Sequence, residues 1–101
     1  MGARLPIAPD VLAALCRRRR IRKLSLFGSQ LKGTARPDSD IDLLVEFEPD
    51  SGTTYFDMAE IEIELSEHLG GKKVDLRTPA ELSRYFREEV VRTAEPQYVA
   101  A

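Results

Sequence analysis

The feature that most constrains this chain is a pair of carboxylates at the start of an apolar strand. Asp40 and Asp42 open the apolar run that continues to Glu46. Side chains alternate between the two faces of a strand, so both carboxylates lie on one face while Ile41 and Leu43 lie on the other. Two like charges side by side are costly unless a cation or a proton neutralises them. A divalent metal ion is the simplest neutralising partner.

An earlier strand ends in a Gly-Ser turn. The run 24–27 is mostly apolar, Gly28 and Ser29 follow it, and a short helical segment then reaches towards Gly33. Free N–H groups and the positive end of a helix dipole favour a phosphate. Gly28 would let a phosphate approach the backbone, and Ser29 would add a hydroxyl donor. The two residues are equally compatible with a plain helix N-cap after a turn.

A third carboxylate comes from a separate strand. The segment 73–77 predicts a short strand in which Asp75 faces opposite to Val74 and Leu76. Asp75 could complete a two-metal site, which clamps the attacking and leaving oxygens of a displacement at phosphorus. A phosphate cradle beside metal carboxylates suggests transfer of a phosphorus group from a nucleoside triphosphate. The alternative for all three carboxylates is that they are surface residues of edge strands.

The remaining pattern predicts helices around these strands. A first helix begins near Asp10, which is a candidate N-cap. The segment 54–69 alternates like a strand at its centre, but its length and apolar spacing favour a helix. A final helix over 83–94 ends before Pro96. The order α-β-α-β-α-β-α predicts one α/β (α+β) domain over residues 1–101, with a small mixed sheet flanked by helices.

Composition excludes several classes of protein. With 43% hydrophobic and 32% charged residues, the 101-residue chain should form a globular domain without membrane spans. Cys16 is the only cysteine, so neither an intramolecular disulfide nor a multi-cysteine zinc site can form. No signal peptide is predicted, and a cytoplasmic location is the expectation. A net charge of −2 argues against a general nucleic-acid binder. The run Arg17–Arg20 is either a solvated helix end or a docking patch for an acidic partner or RNA.

Several motifs resemble one known superfamily. The sequence resembles the GS-x-x-x-G and SD-x-D signature of the DNA polymerase beta-like nucleotidyltransferases. The matching residues are Gly28, Ser29, Gly33, Ser39, Asp40 and Asp42. Further segments resemble the minimal nucleotidyltransferases (MNT), short bacterial and archaeal proteins often paired with a HEPN-domain toxin: the helix from Tyr55, the strand 71–76 and the helix from Arg87. The pair Gln30-Leu31 departs from the aromatic-alanine pair common after the Gly-Ser turn.

The resemblance implies a role for each candidate residue. Asp40 and Asp42 would bind two Mg²⁺ ions, and Asp75 would share one of them and help to remove a proton from the attacking hydroxyl. Gly28 and Ser29 would hold the β and γ phosphates of ATP. The reaction would place AMP on a hydroxyl, as in MNT antitoxins that modify a tyrosine of the partner HEPN toxin.

Two alternative functions remain open, and they differ in whether the chain is catalytic and in what it acts on. The chain could be a non-catalytic module that neutralises a toxin by contact, because the helix over 54–69 has a wide apolar face. It could also be a nucleotidyltransferase acting on a small molecule or an RNA end. A homo- or hetero-oligomer is expected in either case, and no membrane partner.

Overall fold

The fold is a four-stranded mixed sheet with helices. The computed structural model describes residues 5–27, 40–85 and 87–100. Its elements are α1 (Pro9–Arg18), β1 (Ile21–Phe27), β2 (Ile41–Phe47), α2 (Tyr55–His68), β3 (Val74–Arg77), a 3₁₀ turn (Pro79–Glu81), α3 (Arg87–Thr93) and β4 (Glu95–Val99). The strand order is β3-β2-β1-β4. Strands β2 and β3 are parallel, and β1 is antiparallel to both β2 and β4. No helix in the described segments is long and apolar enough to cross a membrane.

One apolar cluster joins one face of the sheet to α1 and α2. The strands contribute Leu24 and Leu43, which are fully buried, and α2 contributes Ile61 and Leu65. Burial of apolar side chains is the main favourable term in folding, so this cluster fixes how the helices lie against the sheet. The opposite face of β2, which carries Asp42, lies outside the cluster.

The start of β1 departs from the regular alternation of a strand. The register with β2 shifts between Ile21 and Lys23. A bulge adds one residue to one strand and so changes which face the following side chains take. Ile21 therefore joins the core together with Leu24 and Leu26 instead of facing away from them. Asp10 is not the N-cap of α1: the cap is Ala8, which has no side-chain hydrogen bond, and Pro9 takes the first helical position.

The ambiguous segment over 54–69 is a helix, as its length indicated. It begins with a capping box in which the Asp57 N–H donates to Thr54 Oγ1 at 3.3 Å. The Thr54 N–H donates in turn to Asp57 Oδ2 at 2.9 Å, and the Thr54 hydroxyl donates to the same oxygen at 3.0 Å; these two bonds to the carboxylate lower the pKa of Asp57. The helix ends before Gly70 and Gly71, whose φ values of 71° and 84° favour glycine.

The C-terminal part of the chain differs from the expectation. The final helix is shorter than predicted, because α3 covers only Arg87–Thr93. Pro96 does not merely end it but lies within β4, a strand that the sequence did not predict. Proline is tolerated there because β4 is an edge strand, where a missing N–H is not needed by a further neighbour. Tyr85 is exposed, so it is not part of a buried apolar face.

Arginines of the run Arg17–Arg20 form ion pairs and a hydrogen bond within the molecule. Arg18 and Arg19 both form ion pairs with Glu64 of α2, the second at 3.2 Å. Arg20 has a φ of 60° and donates from its guanidinium to the Asp50 carbonyl at 3.5 Å. These contacts tie α1 to α2 and to the connection after β2. They favour a structural role for the run over a docking patch.

Two isoleucines of α2 provide a test of the core. Ile61 is fully buried, whereas Ile63 is 62% exposed. We expect Ile61→Ala to lower the free energy of unfolding by about 2–5 kcal/mol, because it leaves a cavity in a packed core. Ile63→Ala, the matched control, should change it by less than about 0.5 kcal/mol. Urea unfolding followed by circular dichroism measures both values, and equal losses would contradict the described packing of α2.

Candidate active site

Two of the predicted carboxylates face each other across neighbouring strands. In the parallel pairing of β2 and β3, Asp42 is the register partner of Asp75. Adjacent strands lie about 4.8 Å apart, so these side chains are neighbours on one face of the sheet. Both are half-buried. The buried side chains of Ile41 and Leu43 lie on the opposite face, as the alternation predicted.

The third carboxylate lies at the start of this pairing. Asp40 directly precedes β2 and is exposed. The N–H of Ile41 donates to the carbonyl of Lys73 at 2.9 Å, which fixes where the two strands first meet. Asp40 therefore stands next to the Asp42–Asp75 pair and completes a group from two strands.

The carboxylates influence one another electrostatically. The pKa of Asp42 is raised above its ordinary value of 3.8, first by burial and then by the charges of Asp75 and Asp40. Arg77 acts in the opposite direction and lowers it. Within the described parts of the chain, Asp42 accepts no hydrogen bond and forms no ion pair. Of the three carboxylates Asp40, Asp42 and Asp75, Asp42 is therefore the one whose charge is least compensated.

Two basic side chains that the sequence reasoning missed border this group. Lys73 Nζ lies 3.8 Å from Asp40 Oδ2. Arg77 Nε lies 3.3 Å from Asp75 Oδ1, and Arg77 Nη2 donates to Asp75 Oδ2 at 3.3 Å. The alternation along β3 could have identified Arg77, because it lies two residues after Asp75 on the same face. The same alternation puts Lys73 on the face of Asp75, but its contact with Asp40 depends on which strand pairs with β3.

The donor chemistry of this group fits a hard divalent cation. Carboxylate oxygens are the ligands that Mg²⁺ prefers, and within the described segments Asp42 accepts no hydrogen bond and forms no ion pair. The three carboxylates do not converge tightly: among the residues described, no group of three His, Cys, Asp or Glu side chains is arranged to hold a metal ion. The assignment of Asp40, Asp42 and Asp75 as metal ligands therefore stays a prediction. Gly28 and Ser29, the predicted phosphate-binding residues, lie outside the described residues.

The fold and this acidic group define a class of protein. A small mixed sheet that presents carboxylates from two parallel strands on one face is compatible with metal-assisted transfer of a phosphorus group. Residues 9–96 match the sequence model of the family described as nucleotidyltransferase domain. The chain belongs to this family and is a nucleotidyltransferase.

Relatives and solved structures agree with this class. The chain is 36% identical over 75 residues to the protein adenylyltransferase MntA of Thermococcus cleftensis, covering 71% of this chain and 70% of the relative. A solved structure of a candidate minimal nucleotidyltransferase is 39% identical, with a TM-score of 0.72 and 87% of each chain covered. A toxin-antitoxin crystal structure with AMP-PNP shares the fold, with a TM-score of 0.71 at 23% identity over 93% of this chain and 75% of that one. The resemblance to minimal nucleotidyltransferases and the predicted fold class are both confirmed.

The raised pKa of Asp42 predicts a pH-dependent stability. The folded protein holds the Asp42 proton more tightly than the unfolded chain does, so this group's contribution is present below pH 3.8 and is lost as pH rises through the raised pKa. We expect Asp42→Asn to raise the Tm by a few degrees at pH 7 in metal-free buffer. The gain should shrink as pH falls towards 3.8.

The control for this measurement is Asp50→Asn, which changes an exposed carboxylate in the turn after β2. Differential scanning fluorimetry across pH should give the control a flat difference from the wild type. A pH-independent gain in Asp42→Asn would show that the charge of Asp42 is not the cause.

Proposed function

We propose that this chain is a magnesium-dependent enzyme that transfers AMP from ATP to a hydroxyl of a protein, a tyrosine of a cognate HEPN toxin, and so acts as an antitoxin. The observation that carries the proposal is the register of Asp42 opposite Asp75, which places carboxylates of two strands side by side. The names of similar proteins support the substrate and the partner. One relative is called a protein adenylyltransferase, and several solved structures with this fold are toxin-antitoxin complexes.

The proposed reaction assigns separate tasks to the described residues. When bound, Mg²⁺ would polarise the phosphoryl oxygens and offset the charge of the leaving group. Asp40 and Asp42 would hold the ions. Asp75 would hold one ion and accept the proton of the attacking hydroxyl. The hydroxyl oxygen bonds to the α-phosphorus, the bond between that phosphorus and the bridging oxygen breaks, and pyrophosphate leaves.

The remaining predicted contacts lie on the triphosphate side. Gly28 and Ser29 would bind the β and γ phosphates through backbone N–H groups and the serine hydroxyl. The acceptor hydroxyl would come from the partner protein. The proposal places the chain in the cytoplasm, where ATP and Mg²⁺ are available.

Radiolabelled ATP tests the reaction. With the proposed HEPN toxin as acceptor, we expect label from the α-phosphate to reach the acceptor only when Mg²⁺ is present. Label from the γ-phosphate should not be transferred, because it leaves in pyrophosphate. Transfer of γ-label instead would identify a kinase and overturn the proposal.

Variants of the acidic group extend this test. Asp40→Ala/Asp42→Ala and Asp75→Asn should each reduce transfer to background, because they remove the proposed ligands and proton acceptor. Asp50→Asn should retain wild-type transfer. Undiminished transfer by the double variant would show that the reaction does not depend on the carboxylates at β2.

A second candidate function, toxin neutralisation by contact alone, is favoured by the outer surface of α2. Phe56 is 85% exposed, and Tyr55 and Ile63 are also largely exposed. Ile63 and Lys73 line a groove of about 460 Å³ between α2 and β3. Because Lys73 also contacts Asp40, a protein bound along this groove would reach the edge of the acidic group.

Binding measurements separate this function from catalysis. We expect Ile63→Asp to weaken binding of the HEPN protein at least about tenfold, since it places a charge in an apolar contact. Val91→Asp, a change at an exposed apolar residue of α3, is the control and should bind normally. Isothermal titration calorimetry gives the affinities. Neutralisation of the toxin in cells by Asp40→Ala/Asp42→Ala would favour contact, and loss of neutralisation would favour catalysis.

A further inference from the structure

Arg77 holds both oxygens of one predicted catalytic carboxylate. Its Nε and Nη2 each lie 3.3 Å from a different oxygen of Asp75. A planar guanidinium that contacts a carboxylate through two donors restricts the rotation of that carboxylate, which a single contact does not. Arg77 therefore fixes the direction in which Asp75 presents its remaining lone pairs.

The charge of Arg77 also acts beyond Asp75. In the register of β2 and β3, Arg77 pairs with Leu44, two residues along from the Asp42–Asp75 pair on adjoining strands. The guanidinium is thus a positive charge that the fold itself brings to the acidic group.

Lys73 is less suited to this task. Its ammonium lies 3.8 Å from a single oxygen of Asp40, and its side chain is 76% exposed, against 48% for Arg77. Water screens the charge of such an exposed side chain, and its many rotamers oppose a fixed contact. Arg77 is the better placed of these two cations.

We infer that Arg77 is a positioning residue that orients Asp75 and compensates the acidic group when no metal ion is bound, so that it lowers the affinity of the group for divalent cations. This inference rests on the metal site of the proposed function. A cation beside the carboxylates reduces their repulsion, and it repels an incoming Mg²⁺ ion through the same charge. Arg77 therefore limits how tightly the metal ion is held before the nucleotide arrives.

The experiment compares Arg77→Met with the wild type in the absence of nucleotide. Methionine keeps much of the apolar length of the side chain and removes its charge. We expect Arg77→Met to bind Mn²⁺, used alone as a spectroscopic probe for Mg²⁺, roughly three- to tenfold more tightly by electron paramagnetic resonance titration. The variant should also gain more in Tm than the wild type when Mg²⁺ is added to metal-free protein.

Two further variants control for damage and for charge. Arg22→Met removes a similar ion pair of the same sheet, in which Arg22 Nη2 lies 3.0 Å from Glu46 Oε1. It should leave Mn²⁺ affinity and the Mg²⁺-induced gain in Tm unchanged. Arg77→Lys keeps the charge and should return Mn²⁺ affinity towards the wild-type value. A merely structural role would not predict this pattern, because damage to the sheet weakens metal binding and does not tighten it.

The outcomes distinguish this inference from the proposed function. Unchanged or weaker Mn²⁺ binding by Arg77→Met would overturn the inference alone, provided that the wild type binds. If neither protein binds Mn²⁺, both the inference and the metal dependence of the proposed function fall. If Arg77→Met binds Mn²⁺ more tightly but no AMP transfer is found, the inference stands and the proposed reaction falls.

Discussion

The structure depends on the parallel pairing of β2 and β3, which sets two carboxylates against each other. The repulsion between Asp42 and Asp75 is tolerated because the other face of the same strands is apolar and packs in the core. Leu43, Val74 and Leu76 are buried there, opposite Asp42 and Asp75. A shift of one residue in the register would move the carboxylates into the core and the apolar side chains out of it, at a large cost. The packing of the core therefore maintains the acidic face.

The treatment of charge elsewhere in the molecule makes Asp42 unusual. Glu64 is paired with Arg18, the last residue of α1, and with Arg19, which follows it, and Glu46 is paired with Arg22. The carboxylate of Glu62 accepts the N–H of Leu76 at 2.8 Å, which satisfies a backbone donor on the outer side of the edge strand β3. In contrast to these partnered carboxylates, Asp42 has a raised pKa, which indicates a place where a charged carboxylate destabilises the fold. Such a place is expected at a site that binds a cation from solution.

The sequence predicted local features well and distant ones poorly. Alternation alone assigned Asp42 to the face opposite Leu43, and length together with apolar spacing identified α2 as a helix. The strand β4 was not predicted, because a proline such as Pro96 is typical of a position where the chain leaves a regular element. Its pairing with Ser25 of β1 depends on residues far apart in sequence. The nearness of Asp42 to Asp75 was expected from the chemistry of a two-metal site, because it depends on strand order, which the alternation within one strand does not contain.

The connection between β2 and β3 explains how one face stays available for chemistry. Parallel neighbours need a crossover, and α2 supplies it on the apolar face, where Ile61 and Leu65 are fully buried. The same helix turns Phe56 and Ile63 outward. The helix that connects β2 and β3 therefore also carries an exposed apolar surface, and its Ile63 lines a groove together with Lys73, which contacts Asp40. If the acceptor is a protein, as proposed, this groove offers it a contact surface that reaches the edge of the acidic group at Asp40.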